Sequence, residues 1–334
     1  MKIAVIGAGS IGCLVAGYLK LKEEEVTLVG RPDSVKAIKE SGLQISGCRG
    51  DSLIEIGISE RLDYKPDLAI LATKTQDVEQ AIKDNLSLLS DALILTTQNG
   101  MHADDISAGL LRKENILSSI VMFGSTYLTP GKIVHNFEGS WIIGNIFSGN
   151  DDRVIKVSHI LNKIFPTIVA ENLKGMKLLK VFVNANNCIP AILGQSMQES
   201  FKDTEVCRIS INIWKEGLGV VAKSGIELVS LPDFPLERMT KLSSMPTVEA
   251  ARIFSSIMGN LSKEPLYGSI LQSIKRGRPS EIDYINGEFV ALARASGSKA
   301  PLNEMLVEMV HNVEKTKRFY SSRELIESTK ELIV

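Results

Sequence analysis

Hydrophobic and polar residues follow two different rhythms along the chain, and the change between them falls near residue 172. Before it, short uninterrupted apolar runs alternate with stretches in which apolar residues recur every three or four positions. Buried parallel strands produce the first pattern and amphipathic helices produce the second. The predicted strands are residues 3–6, 26–29, 68–72, 92–97 and 116–121. This alternation predicts an α/β domain with a mostly parallel sheet.

The pattern becomes less regular after the fifth predicted strand. Glycines separate short apolar runs at 132–134 and 141–143, which predict antiparallel hairpin additions to the sheet edge. A helical pattern at 154–164 and one more apolar run at 167–170 follow. From residue 173 onward helical periodicity dominates. We therefore predict two domains, 1–172 and 173–334, the second all-helical, and each long enough to bury a core.

The composition excludes several classes of protein. Of the 334 residues, 44% are hydrophobic and 23% are charged, which is typical of globular enzymes and unlike disordered or low-complexity chains. With 38 basic and 39 acidic residues, the net charge of -1 provides no general positive field for a polyanion. Nucleic acid is therefore not an expected partner.

The four cysteines form no C-x-x-C pair, and their spacing fits neither a zinc site nor a disulfide framework. Reduced thiols in a cytoplasmic protein are the simplest interpretation, and no metal site is expected. The uncharged stretch from residue 3 to 19 follows a lysine, as in a secretory signal, but four glycines interrupt it. We expect a strand, a turn and a helix there, with no membrane association.

A glycine-rich motif follows the first predicted strand directly and opens a helical pattern. Its residues are Gly7, Ala8, Gly9, Ser10, Ile11 and Gly12, which match G-x-G-x-x-G. In a Rossmann-type domain these glycines permit a tight turn, a close approach of the pyrophosphate and close packing of helix on strand. The helix N-terminus then offers amide groups to the phosphates. A glycine-rich turn in an unrelated α/β protein is the alternative, but strand, spacing and helix together favour a dinucleotide.

The end of the second strand bears on which dinucleotide is bound. An acidic residue there would bind the ribose hydroxyls of NAD, but the chain has Gly30 and Arg31. An arginine can pair with a 2′-phosphate, and the missing carboxylate removes a source of repulsion, so we predict NADP(H). Asp33 is the competing acidic candidate, although we expect it to cap a helix. A plain surface arginine is the alternative for Arg31.

Two further polar residues follow predicted strands. Lys74 comes after the strand at 68–72, and Asn99 comes after the strand at 92–97. Ligands of open α/β sheets bind at the carboxyl ends of the strands, so Lys74 is a candidate for the cofactor phosphates. Asn99 is a candidate for the nicotinamide side or for substrate. The alternative for Lys74 is a solvated loop lysine, and Asn-Gly taken alone favours an ordinary turn.

Two segments stand out in the helical half. Lys180 and Asn184 lie four residues apart, on one face of a predicted helix. The second segment begins with Glu281 and reads E-I-D-Y-I-N-G up to residue 287. Without other information, Lys180 would be a lysine extending its amine to solvent, and Glu281 would be a first-turn acid that complements the helix dipole.

Together these motifs resemble the ketopantoate reductase (2-dehydropantoate 2-reductase) family over essentially the full length of the chain. The matching pieces are the glycine motif with Arg31, Lys74, Asn99-Gly100-Met101, the pair Lys180 and Asn184, Ser269, and the segment 281–287. The resemblance implies a Rossmann-type domain joined to a helical domain similar to the C-terminal domain of 6-phosphogluconate dehydrogenase. It also implies NADPH-dependent reduction of ketopantoate to pantoate, on the route to pantothenate and coenzyme A.

The resemblance further implies roles for individual residues. Lys180 would be the general acid that protonates the substrate oxygen when hydride adds to the C2 carbonyl, and Glu281 would position its amine. Asn99, Asn184 and Ser269 would contact the substrate. By analogy with helical domains of related dehydrogenases, which often dimerise, a homodimer is one expected assembly.

Two departures from the family pattern concern the substrate. Cys188 stands four residues after Asn184, where the family usually has another asparagine, and Ser273 stands where an aspartate is common. A thiol is a weak hydrogen-bonding group. A related NADPH-dependent reductase of another 2-oxo acid is therefore one alternative, and a non-catalytic NADP(H) sensor is a second.

Overall fold

A computed structural model describes residues 1–262 and 264–333. The chain forms two compact units, Met1–Lys174 and Gly175–Val334. The boundary between them lies two residues beyond the one predicted from the sequence.

Among the residues that the structure describes, twelve strands form two sheets, and all twelve lie in the first unit. The strands are β1 (Ile3–Ile6), β2 (Val26–Val29), β3 (Leu43–Gly47), β4 (Ser52–Ile54), β5 (Gly57–Ser59), β6 (Leu68–Leu71), β7 (Leu93–Thr96), β8 (Ile116–Val121), β9 (Gly124–Thr129), β10 (Lys132–Phe137), β11 (Trp141–Gly144) and β12 (Thr167–Val169). The larger sheet has eight strands in the order β12-β11-β8-β7-β6-β1-β2-β5. The smaller has four, in the order β4-β3-β10-β9.

The larger sheet confirms the predicted α/β architecture. From β5 to β8 neighbouring strands run parallel, and β1 lies between β2 and β6. At the other edge β11 pairs antiparallel with β8, and β12 pairs parallel with β11. Strands β1, β6 and β11 are buried along their whole length, which explains their uninterrupted apolar sequence.

The smaller sheet corrects the prediction for residues 132–134. This run belongs to β10, which pairs antiparallel with β9 but parallel with β3, so it is not an addition to the edge of the larger sheet. The parallel pair brings Ile133 opposite Ile45, 88 positions earlier in the sequence. Local periodicity carries no signal for such a distant partner, and the sequence analysis assigned no strand to β3, β4, β5 or β9.

Helices cover the larger sheet and build two apolar cores in the first unit. They are α1 (Ser10–Leu21), α2 (Pro32–Ser41), α3 (Val78–Lys83), α4 (Leu86–Leu89), α5 (His102–Leu110) and α6 (Asp152–Leu161). Short 3-10 turns occur at Thr75–Asp77 and Lys113–Asn115. The first of these turns lies between β6 and α3, so it follows the carboxyl end of β6.

The described part of the second unit is helical apart from one isolated bridge between Leu231 and Phe234, as predicted. The helices are α7 (Leu173–Ala185, which begins at the unit boundary), α8 (Cys188–Leu193), α9 (Met197–Ser200), α10 (Thr204–Ser224), α11 (Leu236–Ser244), α12 (Thr247–Gly259), α13 (Ser269–Lys275), α14 (Asn286–Ala295), α15 (Pro301–Thr316) and α16 (Ser322–Thr329). Short 3-10 turns lie at Ile282–Tyr284 and Lys330–Leu332.

Helix α10 organises the second unit. It is the longest helix, with 21 residues, and it packs against α11, α12, α14, α15 and α16. The indole of Trp214 on α10 donates a hydrogen bond to the carbonyl of Phe182 on α7 at 2.9 Å, and the ring of Phe182 packs on Phe289 of α14. These contacts hold α7 and α14 against the same central helix.

Within the described residues, no helix has both the length and the apolar character needed to cross a membrane.

Candidate functional site

The glycine motif forms the turn between β1 and α1. Gly7 has φ of +120°, and a Cβ there would lie 2.6 Å from the backbone of Ala72 at the end of β6. A Cβ on Gly12 would lie 1.8 Å from the carbonyl oxygen of Gly7, so the helix packs directly against the turn. Both positions therefore require glycine, one because of its backbone conformation and the other because of close approach.

The same turn leaves space where a phosphate would approach. A Cβ on Gly9, the N-cap of α1, would meet only the carbonyl oxygen of Ala72, at 4.0 Å. No side chain caps this helix, and its first turn carries no acidic residue. The amide groups and positive dipole end of α1 are thus available to an anion. Residues 7–12 fit the pyrophosphate of a dinucleotide.

Arg31 follows β2 directly and is the N-cap of α2. Its Nη2 atom donates to the Asp77 carboxylate at 3.1 Å, and the two side chains are 62% and 44% exposed. Asp77 belongs to the 3-10 turn that follows β6. The sequence pattern indicates Arg31 as a cofactor-binding residue but gives no signal for Asp77.

The prediction that Asp33 caps a helix is wrong, because the N-cap of α2 is Arg31. Helix α2 begins at Pro32, so Asp33 lies inside the first turn, where its carboxylate accepts from the amide of Ser34 at 2.8 Å. The position suits an acidic residue because the helix dipole is positive there.

Lys74 and Asn99 are partly buried beyond the carboxyl ends of β6 and β7. The two strands are neighbours, so both residues belong to the same edge of the sheet. Gln98, which the sequence analysis overlooked, links the two strand ends. Its amide donates to the carbonyls of Leu71 and Thr73 at 2.8 and 2.9 Å. Gln98 is therefore a positioning residue for the two segments, and its place after a buried strand was the only signal for it in the sequence.

Lys180 lies on α7 and is partly buried. Burial lowers its pKa from 10.5 to about 8, because removing the ammonium group from water disfavours the charged form. No carboxylate among the described residues contributes to this shift. The pKa of the Lys180 amine thus lies near the neutral pH range, where the amine can give up a proton. The reference pKa of lysine did not indicate this.

The same face of α7 carries two more polar groups. Asn184 lies one turn after Lys180 and is partly buried, as the spacing predicts. Lys177 lies three residues before Lys180 and is only 2% exposed. The sequence pattern does not indicate Lys177, since a lysine on an amphipathic helix is ordinarily solvated.

The other predicted residues of the second unit lie on elements near α7. Glu281 is 6% exposed and precedes the 3-10 turn that leads into α14. Helix α14 contacts α7, because Phe289 of α14 packs on Phe182 of α7. Ser269 is the exposed first residue of α13. A Cβ on the preceding Gly268 would lie 3.1 Å from the side chain of Asn187, which follows α7. The start of α13 therefore lies beside Asn187, just after α7.

Cys188 is not available as a hydrogen-bonding group in an open pocket. Its side chain is fully buried, and burial raises the pKa of the thiol to about 12, against a smaller opposing effect of a hydrogen bond with Asn286. Asn286 donates to Asn303 at 3.0 Å, and Asn303 donates to Glu216 at 2.9 Å. Cys188 therefore belongs to a buried polar network that joins α8, α14, α15 and α10.

Ser273 is used within its own helix. The side chain is 1% exposed, and its hydroxyl donates to the carbonyl of Ser269 at 3.0 Å. It places no charge at the position where an aspartate is common in the family. Both departures noted in the sequence thus replace hydrogen-bonding or charged groups with side chains directed into the protein.

The smaller sheet brings together three side chains of metal-binding type. Ligand atoms of Cys48, His135 and Glu138 lie within 4.8 Å of one another. However, Nδ1 of His135 is 2.9 Å from the Tyr18 hydroxyl, and Nε2 is 3.0 Å from a backbone carbonyl. Arg49 donates two hydrogen bonds to Glu138, at 2.6 and 2.7 Å. An ion would have to displace these partners, and the expectation that the chain uses no metal stays a prediction.

Family models match both units of the chain. The model described as ketopantoate reductase PanE/ApbA matches residues 3–147, and its C-terminal counterpart matches residues 172–314. Among curated proteins, the 2-dehydropantoate 2-reductase of Pyrococcus horikoshii is 32% identical over 93% of this chain and 96% of its own length. That of Archaeoglobus fulgidus is 24% identical over 94% of this chain and 98% of its own length.

Solved structures share the fold. A ternary structure of D-mandelate dehydrogenase with NADH and anilino(oxo)acetate is 27% identical, with a TM-score of 0.80, and the match covers 95% of this chain and 99% of that one. A PanE/ApbA family ketopantoate reductase from Ralstonia eutropha is 24% identical, with a TM-score of 0.80 and the same coverage.

Proposed function

Since the chain belongs to the ketopantoate reductase family, we propose that it reduces ketopantoate to pantoate with NADPH. This reaction supplies pantothenate and coenzyme A synthesis. The chain is accordingly an oxidoreductase acting on a CH-OH group, as its named relatives are. The observation that carries the proposal is Lys180, an amine on α7 whose pKa burial lowers to about 8.

The first unit would hold the cofactor. The turn formed by residues 7–12 fits the pyrophosphate. Arg31 would contact the 2′-phosphate, and Lys74 would add positive charge near the cofactor phosphates. Asn99, beside Gln98 at the end of β7, would contact the nicotinamide side or the substrate. When bound, a nicotinamide cofactor supplies a hydride to the C2 carbonyl carbon of a 2-oxo acid.

Lys180 would supply the proton. As C2 accepts hydride, its carbonyl π electrons move to oxygen, and that oxygen takes a proton from the Lys180 Nζ atom. The alcohol forms, and the neutral amine regains a proton from water. With a pKa of about 8, the amine is protonated about ten to one at pH 7 and releases its proton more readily than an exposed lysine would. Its positive charge also stabilises the developing oxyanion.

The neighbouring residues would orient the substrate. The buried carboxyl group of Glu281 would position the ammonium group and contact the new hydroxyl. The amide of Asn184, one turn from Lys180, and the exposed hydroxyl of Ser269 are neutral hydrogen-bonding groups suited to a small hydroxy acid. These roles rest on the family pattern.

A second candidate is the reduction of a different 2-oxo acid. It is favoured by Cys188 and Ser273, whose side chains are buried and engaged inside the protein. Such a site has fewer partners for the hydroxyl of the hydroxymethyl group that distinguishes ketopantoate from 2-oxoisovalerate. A relative in the same fold class, D-mandelate dehydrogenase, is named for a different 2-hydroxy acid.

We place the reaction in the cytoplasm. Cys13, Cys188 and Cys207 are buried with their thiols unbridged, and Cys48 is an exposed thiol. Unbridged thiols of this kind are the usual state in a reducing compartment.

The decisive experiment follows NADPH oxidation spectrophotometrically with ketopantoate, 2-oxoisovalerate and benzoylformate. We expect ketopantoate to give the largest kcat/KM. A larger value for 2-oxoisovalerate or benzoylformate would establish the second candidate instead. Cofactor binding without oxidation of NADPH by any 2-oxo acid would identify a sensor and contradict both enzymatic proposals.

A further inference from the structure

The pair formed by Arg31 and Asp77 spans the strand that carries the glycine motif. Strand β1 lies between β2 and β6 in the larger sheet. Arg31 follows β2, and Asp77 lies in the turn that follows β6. Their side chains meet at 3.1 Å, so the pair reaches across the carboxyl end of β1. This is the end from which the turn at residues 7–12 begins.

We propose that Asp77 supplies the carboxylate that is missing after β2, and that it thereby weakens the discrimination of this chain in favour of NADPH over NADH. The inference rests on the proposed function, because it assumes that a nicotinamide cofactor binds at the glycine motif. It assigns to Asp77 a part in cofactor specificity that neither the sequence motif nor the position of Arg31 indicates.

Charge is the first reason. A 2′-phosphate carries about -1.5 to -2 at neutral pH, like other phosphate monoesters. An anion bound to the Arg31 guanidinium must come close to the Asp77 carboxylate, which already accepts from Nη2 of that guanidinium. The carboxylate therefore offsets much of the attraction that Arg31 exerts. Because the two side chains are 62% and 44% exposed, water and salt reduce this repulsion without removing it.

Hydrogen bonding is the second reason. An unphosphorylated ribose presents a hydroxyl group, which can donate to a carboxylate, whereas a phosphate dianion presents only acceptors there. Only Nη2 of Arg31 is bound to Asp77, which leaves other guanidinium N–H groups for a phosphate when one is present. The pair can thus serve either cofactor, with Asp77 favouring the hydroxyl and Arg31 the phosphate.

Asp77→Asn tests the inference in the full-length protein. Asparagine keeps an oxygen that accepts from Arg31 but removes the negative charge. We would measure by calorimetry the binding of adenosine 2′,5′-bisphosphate and adenosine 5′-monophosphate, which differ only in the 2′-phosphate, and then of NADPH and NADH. We expect the ratio of the two affinities to shift towards the phosphorylated ligand by about two- to fivefold, the range of exposed ion pairs. The shift should shrink at high ionic strength.

Asp84→Asn is the matched control. Asp77 precedes the first residue of α3, and Asp84 follows its last residue. The Asp84 carboxylate lies 3.9 Å from Arg61, so Asp84→Asn removes one negative charge near α3 without changing the pair of Arg31 and Asp77. We expect it to leave the affinity ratio unchanged. An equal shift in Asp84→Asn would overturn the inference, because it would show that net charge alone is responsible.

Introducing Asp77→Asn into an Arg31→Ala protein separates a direct effect of the carboxylate on the ligand from an effect that acts through Arg31. If the carboxylate acts on the ligand, Asp77→Asn should still favour the phosphorylated ligand in Arg31→Ala. A shift that disappears in that background, or an unchanged or reversed ratio in the single variant, would overturn the inference. Failure of the unaltered protein to bind either nicotinamide cofactor would contradict the proposed function itself, a distinct result.

Discussion

At the scale of single residues, burial changes what the side chains can do. Lys180 has the same ammonium group as any surface lysine, but partial removal from water brings its pKa down to about 8. Cys188 shows the opposite case, because burial raises its pKa to about 12 and leaves an unreactive thiol. The chemistry of both residues therefore depends on packing that their identities alone do not reveal.

Replacing Lys180 with methionine tests its role as a proton donor. We expect kcat to fall by about two to four orders of magnitude, the usual contribution of a general acid, while the dissociation constant for NADPH changes by less than about twofold. Stopped-flow turnover and cofactor fluorescence measure the two effects. Lys174→Met is the control, since Lys174 is exposed on the same helix. Comparable turnover in Lys180→Met and the unaltered protein would remove the assigned role.

The lowered pKa of Lys180 predicts opposite effects of pH on activity and stability. The proposed mechanism uses the protonated amine of Lys180, so kcat/KM should fall as pH rises through about 8. Between pH 8 and 10.5 the unfolded chain holds more protons at this position than the folded chain does, so this group makes unfolding less favourable as pH rises. Lys180→Met should abolish this rise in the free energy of unfolding between pH 8 and 10.5. If the melting temperatures of Lys180→Met and the unaltered protein depend on pH in the same way, the lowered pKa of Lys180 is contradicted.

At the scale of elements, the strand-turn-helix of the glycine motif depends on contact between backbones. The amide groups of α1 are positioned because Gly12 lets the helix lie directly on the carbonyl of Gly7. The same element packs on the end of β6 through Gly7, which couples the turn to the segment that carries Lys74 and Asp77. A single extra carbon in this contact displaces the whole turn.

Gly12→Ala should therefore weaken cofactor binding severely. Its Cβ would lie 1.8 Å from the Gly7 oxygen, so α1 must move away from the turn. We expect the affinity for NADPH in calorimetry to fall by about ten- to a hundredfold, the effect of losing one hydrogen bond to a charged phosphate. Gly109→Ala, in α5 where a Cβ would meet nothing within 4 Å, should leave binding unchanged and stabilise the protein slightly. Retained affinity in Gly12→Ala would contradict the proposed site.

At the scale of the whole molecule, each unit has its own buried core and its own tryptophan. Trp141 lies in the first unit, fully buried among the aromatic rings of Phe123 and Phe165, and Trp214 lies in the second unit beside Phe254. Since these are the two tryptophans of the chain, single-tryptophan variants report the unfolding of each core separately.

Asp104→Ala tests this independence. Asp104 is fully buried, and it accepts from the hydroxyls of Thr96 and Ser118 at 2.5 and 2.7 Å. Removing it leaves two buried donors without this acceptor, which should lower the free energy of unfolding by about 2–4 kcal/mol. In urea, the transition reported by Trp141 should shift more than the one reported by Trp214. Equal shifts would show that the two cores unfold as one.

Much of the architecture could be predicted from the sequence because its causes are local. The five predicted parallel strands are confirmed, since burial on both faces requires an apolar run that a short window reveals. The same holds for the glycine turn, since the positive φ of Gly7 and the close contact between Gly7 and Gly12 are local features of the backbone. The roles of Lys180, Glu281, Asn184 and Ser269 came from the family pattern and stay predictions until they are measured.

What escaped the sequence analysis depends on partners that are distant along the chain. The smaller sheet pairs β10 with β3, which lies about ninety positions earlier, and Asp77 meets Arg31 across β1. The fold class, the glycine turn and the family follow from the sequence, because periodicity, backbone conformation and spacing are local along the chain. The carboxylate that pairs with Arg31 and the pKa of Lys180 depend on folding, because charge contacts and desolvation are set by the groups that the folded chain brings together.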